Sequence, residues 1–152
     1  SYSRFGFSDV LTMFLALNAS VELYKGGVVP LAEYAQRPYD RDILVGVLVP
    51  KENARFVYQS VRNSQTDFPV LTCAAAKLAD GSIRAAIGAR PGKAVLYTAA
   101  PEAGETAEEF AARFAAEVKA GIKTESNLRG GAEYRRHLAG VLTKRAVGRL
   151  EG

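Results

Sequence analysis

The spacing of apolar positions predicts a helix near the start of the chain. Leu11, Phe14 and Leu15 fall on one helical face, and Ser8 or Asp9 can cap the first turn. Asn18 tolerates the left-handed conformation that ends a helix. The elements predicted next are a strand at 19–24, a turn at 25–27, a short strand at 28–29 and a helical turn at 31–34.

The run from Ile43 to Val49 is almost wholly apolar and rich in β-branched residues. Such a run is typical of a strand that is buried on both faces, and Pro50 ends it. We therefore expect an interior strand here. A polar connector follows, and it divides the chain into predicted domains at 1–52 and 53–152.

The second domain has the pattern of strands followed by helices. Strands are predicted at 55–62, 70–78 and 82–89, a further extended stretch at 94–97, and helices at 106–119 and 132–150. Asp80-Gly81 favours a hairpin between two of the strands, and Thr106 with Glu109 forms a capping box. In the last helix Tyr134, Leu138, Val141 and Leu142 are predicted to face inward. The predicted fold class is α+β: the end of one subdomain, then a three-stranded antiparallel sheet with helices packed on one face.

Composition excludes several classes of protein. The 152 residues are 48% hydrophobic and 24% charged, which is typical of a globular chain. No apolar run approaches the roughly 20 residues of a membrane span. The single cysteine, Cys73, excludes an internal disulfide and a multi-cysteine metal site, and the single histidine, His137, excludes a histidine-rich metal site. The low cysteine content and the lack of a signal peptide predict a cytoplasmic location.

Local chemistry supplies no complete active site. Cys73 lies in an apolar strand and is predicted to fill the core, and His137 lies on a helix edge. Asp9 stands at a helix start, where a carboxylate satisfies free backbone N–H groups. The sequence has neither a GxGxxG nor a GxxxxGK[ST] phosphate loop. Gly130-Gly131 either begins the last helix or binds an anion there.

The net charge is +4, and basic residues concentrate near the end of the chain. They are Arg129, Arg135, Arg136, Lys144, Arg145 and Arg149. They form either a solvated helix surface or a patch for an acidic partner or RNA. No aromatic residues are interleaved with them as stacking platforms, which disfavours nucleic acid as a partner.

Several segments carry a resemblance through their order rather than through one motif. They are Ser8-Asp9-Val10 with 15–19, 29–34, 42–44 with Val49-Pro50, Arg62 with 66–70, 129–136 and 141–146. In this order they resemble the FAD-binding (medium) subunits of molybdenum hydroxylases, the family that includes xanthine dehydrogenase and carbon monoxide dehydrogenase. The resemblance extends from about Ser8 to Val147.

The resemblance implies the C-terminal half of a flavoprotein subunit. In such enzymes FAD carries electrons from the iron–sulfur clusters of one partner subunit to an acceptor, and another partner subunit holds the molybdopterin cofactor. The resemblance places Asp9 near the FAD and Leu44 beside its isoalloxazine ring. Tyr58 stands where the family often has a lysine near the flavin, and the loop at 62–67 is about one residue longer, so neither is assigned a flavin contact.

The resemblance also implies that this chain is incomplete as a flavin site. The two Gly-rich loops that hold the FAD pyrophosphate in the family precede the segment matching Ser8, and this sequence does not contain them. We therefore expect the chain to belong to an oxidoreductase without being active alone, and to bind FAD weakly or not at all. The alternative is a stand-alone α+β interaction domain that binds an acidic partner or RNA.

Overall fold

A computed structural model describes residues 8–38, 41–51 and 55–152 of the chain. Within these residues the helices are α1 (Asp9–Ala16), α2 (Leu31–Tyr34), α3 (Ala107–Gly121) and α4 (Ala132–Glu151). The strands are β1 (Ser20–Leu23), β2 (Gly27–Pro30), β3 (Leu44–Leu48), β4 (Arg55–Val61), β5 (Leu71–Lys77), β6 (Ile83–Gly88) and β7 (Val95–Ala99). The predicted α+β class is confirmed. The predicted boundary between 1–52 and 53–152 falls at residues 52–54, outside the described residues, so the domain division stays a prediction.

The strands β4 to β7 form an antiparallel meander in the order β4-β5-β6-β7. The predicted hairpin at Asp80-Gly81 joins β5 to β6, and Gly81 takes a φ of 84°. The sheet has four strands where the sequence predicted three, because Val95–Ala99 pairs along its length with β6. The apolar pattern at 94–97 indicated an extended stretch but not its pairing partner.

The four-stranded sheet is covered on both faces. Cys73 and Ala75 of β5 belong to one core cluster together with Phe110 and Phe114 of α3 and the buried residues of α4. Ala74 and Ala76 of β5 belong to a second core cluster, which includes buried residues of α1. Alternate residues of a strand point to opposite faces, so helices cover both. The prediction of helices on one face holds for α3 and α4, while α1 packs on the other.

The helix α1 approaches the sheet closely at Gly88. A Cβ at this position would overlap Thr12 Oγ1 and lie 2.6 Å from Thr72 Oγ1. Thr12 is fully buried, and its hydroxyl donates a hydrogen bond to the carbonyl of Ser8 at 3.0 Å. The absence of a side chain at residue 88 therefore lets the first turns of α1 lie against the sheet.

The first three strands form a separate antiparallel sheet in the order β2-β1-β3. Val21, Leu23 and Val29 of this sheet are buried in the second core cluster. The prediction that 43–49 is buried on both faces is wrong, because most of its side chains are exposed. Among the described residues β3 pairs with β1 and lies at the edge of the sheet. Ile43 and Val45 are 64% and 57% exposed.

Candidate functional site

A polar cluster joins the start of α1 to strand β4. Ser8 caps the helix, because its Oγ accepts a hydrogen bond from Leu11 N at 3.0 Å. This leaves the carboxylate of Asp9, the first helical residue, for two tertiary contacts. Asp9 Oδ1 accepts a hydrogen bond from Tyr58 Oη at 3.0 Å, and Asp9 Oδ2 lies 3.5 Å from Arg62 Nη2.

Tyr58 is a neutral hydrogen-bond donor in this cluster. Burial of the half-buried phenol, together with the negative charge of Asp9, raises the pKa of Tyr58 to about 12. The phenol therefore keeps its proton throughout the physiological pH range, and it donates that proton to Asp9. The carboxylate of Asp9 thus has one neutral donor and one cationic partner.

The loop after β4 continues this polar network. Arg62 Nη1 donates a hydrogen bond to the carbonyl of Asp67 at 2.6 Å. The Asp67 carboxylate accepts two hydrogen bonds from Arg129, from Nε at 3.0 Å and from Nη2 at 2.8 Å. The side-chain hydrogen bond from Arg129, and next the backbone N–H of Phe68, hold the pKa of Asp67 below its ordinary value. The Arg129 guanidinium also lies over the Phe68 ring, 5.3 Å from its centroid.

Beneath this surface Arg135 holds two loops together from a fully buried position. Its Nε donates to the carbonyl of Val70 at 2.8 Å, and its Nη1 donates to the carbonyls of Glu125 and Gly130 at 2.6 Å each. Its Nη2 donates to Asn127 Oδ1 at 2.6 Å. Val70 follows the loop that carries Asp67, and the other acceptors lie in the loop that carries Arg129. Arg135 therefore fixes the two segments that meet in the Asp67–Arg129 ion pair.

A cavity of about 290 Å³ opens beside this pair. It is lined by Phe68, Pro69, Ala89, Pro91, Asn127 and Arg129. Most of these residues are apolar, and Arg129 and Asn127 are the polar ones. The volume is near the lower limit of small-molecule pockets.

The two residues that the resemblance assigned to the flavin lie on different elements. Asp9 lies in the polar cluster on β4, whereas Leu44 lies on β3 and packs, partly buried, against the second core cluster. Leu11 and Phe14 of α1 pack against that same cluster. The two positions are therefore linked through a shared core. Their roles toward a flavin stay predictions.

The remaining sequence candidates are Cys73, His137 and Gly130-Gly131. Cys73 is fully buried, and burial raises the pKa of its thiol to about 12, so it fills the core as predicted. His137 is exposed on α4. Gly131 is the residue before the first turn of α4, and Ser126 Oγ accepts a hydrogen bond from Ala132 N at 2.9 Å. Gly130-Gly131 therefore begins the helix.

The predicted basic patch at the end of the chain is divided by the fold. Arg135 is buried and Arg129 is paired with Asp67, while Arg136, Lys144, Arg145 and Arg149 are exposed. The prediction that Tyr134 faces inward is wrong, because Tyr134 is 49% exposed and Arg135 takes the inward position. The signal was present in the sequence, since Arg135, Leu138 and Leu142 share one helical face by spacing.

Sequence analysis also missed the partners of Asp9 and Asp67. The helix start accounts for Asp9 locally, whereas its partner Tyr58 lies 49 residues further along the chain. Arg129 belongs by sequence to the basic residues near the last helix, and it lies 62 residues from Asp67. No local pattern indicates contacts between positions so far apart.

In the described part of the chain, no three His, Cys, Asp or Glu side chains converge to hold a metal ion. No described helix has the length and apolar character needed to cross a membrane.

These features define an α+β domain built on the four-stranded sheet. Polar contacts at its rim, such as the Asp9–Tyr58 hydrogen bond, join it to α1 and the three-stranded sheet. The family of the CO dehydrogenase flavoprotein C-terminal domain matches residues 56–150, which is more than half of the chain. The chain therefore belongs to this family. A comparison with curated proteins gives no match.

Solved structures share the fold over nearly the whole chain. Quinoline 2-oxidoreductase from Pseudomonas putida 86 has a TM-score of 0.74 at 18% identity, and the match covers 99% of this chain and 58% of that chain. Carbon monoxide dehydrogenase from Hydrogenophaga pseudoflava has a TM-score of 0.75 at 22% identity, covering 94% and 56%. Reconstituted CO dehydrogenase from Oligotropha carboxidovorans has a TM-score of 0.74 at 21% identity, covering 94% and 56%.

At these identities the structural likeness establishes the fold. Together with the family match, it confirms the resemblance to flavoprotein subunits of the molybdenum hydroxylase family. The chain spans somewhat more than half the length of the solved chains that it matches.

Proposed function

We propose that this chain forms part of an FAD-binding subunit that carries electrons from iron–sulfur clusters to an acceptor in a molybdenum-containing hydroxylase or dehydrogenase. The observation that supports this most strongly is the family match over residues 56–150. On this proposal the partners are an iron–sulfur subunit and a molybdopterin subunit, and the assembly works in the cytoplasm.

On this proposal the described residues contribute polar and apolar groups to one wall of the flavin site. The Asp9–Tyr58–Arg62 cluster offers a carboxylate, a phenol and a guanidinium at a partly exposed rim, and Leu44 offers an apolar side chain on β3. FAD, when bound, supplies the redox chemistry. Asp9 would hold polar groups of the cofactor in position, and Leu44 would pack beside its ring. Tyr58 would keep the Asp9 carboxylate oriented.

The experiment that tests the proposal is a measurement of bound flavin in two samples. The first is the isolated chain, titrated with FAD and followed by flavin fluorescence. The second is the protein purified from its native source with the polypeptides that accompany it. We expect weak or no binding in the first and about one flavin per chain in the second. A native sample without flavin would contradict the proposal.

The site residues are tested in the flavin-loaded native assembly. We expect Asp9→Asn and Leu44→Ala to shift the visible absorbance of the flavin, because each changes the charge or packing of the proposed wall. Asp80→Asn is the matched control, since Asp80 lies in a hairpin turn and its partner is Ser82. If the spectra of all three variants equal that of the wild type, the assignment of Asp9 and Leu44 is wrong.

A further inference from the structure

A groove lies between the last two helices, α3 and α4, on the side that does not contribute to the core. Its cavity has a volume of about 220 Å³, and its floor is formed by Ala115, Ala116, Gly140 and Val141. The two helices approach closely here, since a Cβ at Gly140 would lie 3.5 Å from the carbonyl oxygen of Ala115. The floor is therefore apolar and carries no aromatic or long apolar side chain of its own.

The rim of this groove is positive. It carries the side chains of Lys119, His137 and Lys144, all of them exposed, and the described lining contains no carboxylate. None of the three side chains has a hydrogen-bond or ion-pair partner among the described residues. By contrast Arg113, the other cation of α3, lies 2.8 Å from a carboxylate oxygen of Glu105. The charge on the rim of the groove is therefore not neutralised within the described chain.

The rest of the exposed surface of α4 has the same sign. The carboxylates of this helix are Glu133 in its first turn and Glu151, which pairs with Lys77 at 2.7 Å. Three more exposed cations of α4 lack a carboxylate partner in the described part of the chain, and they are Arg136, Arg145 and Arg149. Charge complementarity therefore specifies an acidic occupant for this groove.

The chemistry of the groove favours a polypeptide over a nucleic acid. Single-stranded nucleic acids are bound through aromatic side chains on which their bases stack, and the described lining contains no aromatic residue. An apolar floor beneath a charged rim suits an amphipathic segment, whose apolar side chains cover the floor while its carboxylates reach Lys119 and Lys144.

We propose that the α3–α4 groove docks an acidic, amphipathic segment of a partner subunit. This proposal rests on the proposed function, which supplies the partner subunits. The segment pairs its carboxylates with Lys119 and Lys144, which lie on different helices, and it covers the floor around Gly140. Because the charged contacts lie at an exposed rim, added salt weakens the docking.

The test is carbodiimide cross-linking of the protein purified from its native source, because this reagent joins a lysine amine to a carboxylate in contact with it. We expect Lys119 and Lys144 to be linked to Asp or Glu residues of an accompanying polypeptide. Lys25, exposed in the turn between β1 and β2, is the control and is expected to form no such link. If neither Lys119 nor Lys144 is linked to another polypeptide, or if both are linked to a second copy of this chain, the proposal is wrong.

A pair of variants locates the docking in the groove. Lys144→Glu places a carboxylate on the rim, and Arg149→Glu makes the same change of charge on α4 outside the cavity lining. We expect Lys144→Glu to raise the dissociation constant of the accompanying polypeptide roughly tenfold or more at fixed salt, and Arg149→Glu to raise it by less than about twofold. Equal effects overturn the proposal. So does an assembly that Lys144→Glu leaves intact while it abolishes binding of a single-stranded RNA oligonucleotide by the isolated chain, since the occupant is then a nucleic acid.

Flavin content measured on the same native sample separates the two proposals. Bound flavin without cross-links from Lys119 and Lys144 overturns the docking and leaves the proposed function in place. Cross-links to an acidic polypeptide in a sample without flavin support the docking and overturn the proposed function.

Discussion

The strands β3 and β5 have similarly apolar sequences and opposite environments. In β5 all six residues from Leu71 to Ala76 are buried, because α1 covers one face and α3 with α4 covers the other. In β3 none of the five residues is fully buried. An apolar run therefore predicts a strand, but the elements that pack against the strand decide how much of it is buried.

The two regions also differ in how their polar groups are satisfied. The loops at the rim of the four-stranded sheet are held from below by the buried guanidinium of Arg135. In the small sheet the Asp42 carboxylate accepts hydrogen bonds from Lys25 N at 3.0 Å and Gly26 N at 2.7 Å, and so ties the β1–β2 turn to the segment before β3. Its region contacts the large sheet through α1, by close packing at Gly88 and by the Asp9–Tyr58 hydrogen bond. Two further hydrogen bonds join the regions, from Arg84 to Asn18 Oδ1 and from Lys93 to the carbonyl of Ala35. The first region is therefore anchored by a buried cation, and the second by a carboxylate and by its contacts with the first.

The largest expected effect is the loss of Arg135, which would destabilise the loops at the rim of the four-stranded sheet. Arg135→Met leaves the carbonyls of Val70, Glu125 and Gly130 without their charged donor. Because charge-assisted hydrogen bonds and buried unpaired polar groups each carry large free energies, we expect the free energy of unfolding to fall by about 3–5 kcal/mol. Urea unfolding followed by circular dichroism measures it.

Arg136→Met is the matched control for this variant. Arg136 is the next residue on α4 and is exposed, so its replacement is expected to change stability by no more than about 0.5 kcal/mol. Equal stability losses in the two variants would show that the buried hydrogen bonds of Arg135 are not what holds the loops.

The next effect concerns the junction between the regions. Gly88→Ala places a methyl group against Thr12 and Thr72, and we expect a destabilisation of about 1–3 kcal/mol from overpacking. Combining it with Thr12→Ala removes one clash, so the double variant is expected to lose less than the sum of the single variants. Thermal unfolding of the four proteins gives the coupling.

Gly148→Ala is the control for the glycine substitution. Nothing lies within 4 Å of a Cβ at Gly148 on α4, so alanine is expected to stabilise the helix by up to about 1 kcal/mol. If Gly88→Ala is as well tolerated as Gly148→Ala, then α1 does not pack tightly against the sheet in solution.

Features set by neighbouring residues were predictable from the sequence. The capping box of α3 forms as expected, with Glu109 N donating to Thr106 Oγ1 at 3.2 Å and Thr106 N donating to Glu109 Oε2 at 2.9 Å. Asn18 takes a φ of 54° just after α1. Both depend on residues within one helical turn, which is the range over which propensity and capping act.

Features set by distant residues were not predictable in this way. The apolar run at 43–49 correctly indicated a strand, but its coverage depends on which strands flank it. The fourth strand of the large sheet and the partners of Asp9 likewise depend on tertiary pairing. For Arg135 the helical spacing is consistent with an inward position, but arginine is rarely buried without a carboxylate partner, so its residue type favours the surface.

A smaller effect tests the polar link between the regions. Asp9→Asn removes the negative charge that opposes ionisation of Tyr58, so we expect the pKa of Tyr58 to fall below its value of about 12. Burial of the phenol remains and should keep the pKa above the ordinary value. The titration is followed by tyrosinate absorbance, with Tyr58→Phe used to subtract the other tyrosines. Asp80→Asn should leave the curve unchanged, and a Tyr58 pKa insensitive to Asp9→Asn would contradict the hydrogen bond.

The smallest expected effect concerns the Asp67–Arg129 ion pair at the rim of the four-stranded sheet. Arg129→Gln should raise the pKa of Asp67 toward its ordinary value, because it removes the largest cause of the lowered pKa. A lowered folded-state pKa stabilises the protein above the unfolded-state pKa, and this stabilisation is lost as the pH falls through the folded-state pKa. The stability difference between wild type and Arg129→Gln should therefore be largest near neutral pH and shrink in acid. Carboxyl NMR reads Asp67 directly, and Asp80, whose pKa is lowered by Ser82, is the internal control. A shift of both carboxyls, or of neither, would show that Arg129 does not pair specifically with Asp67.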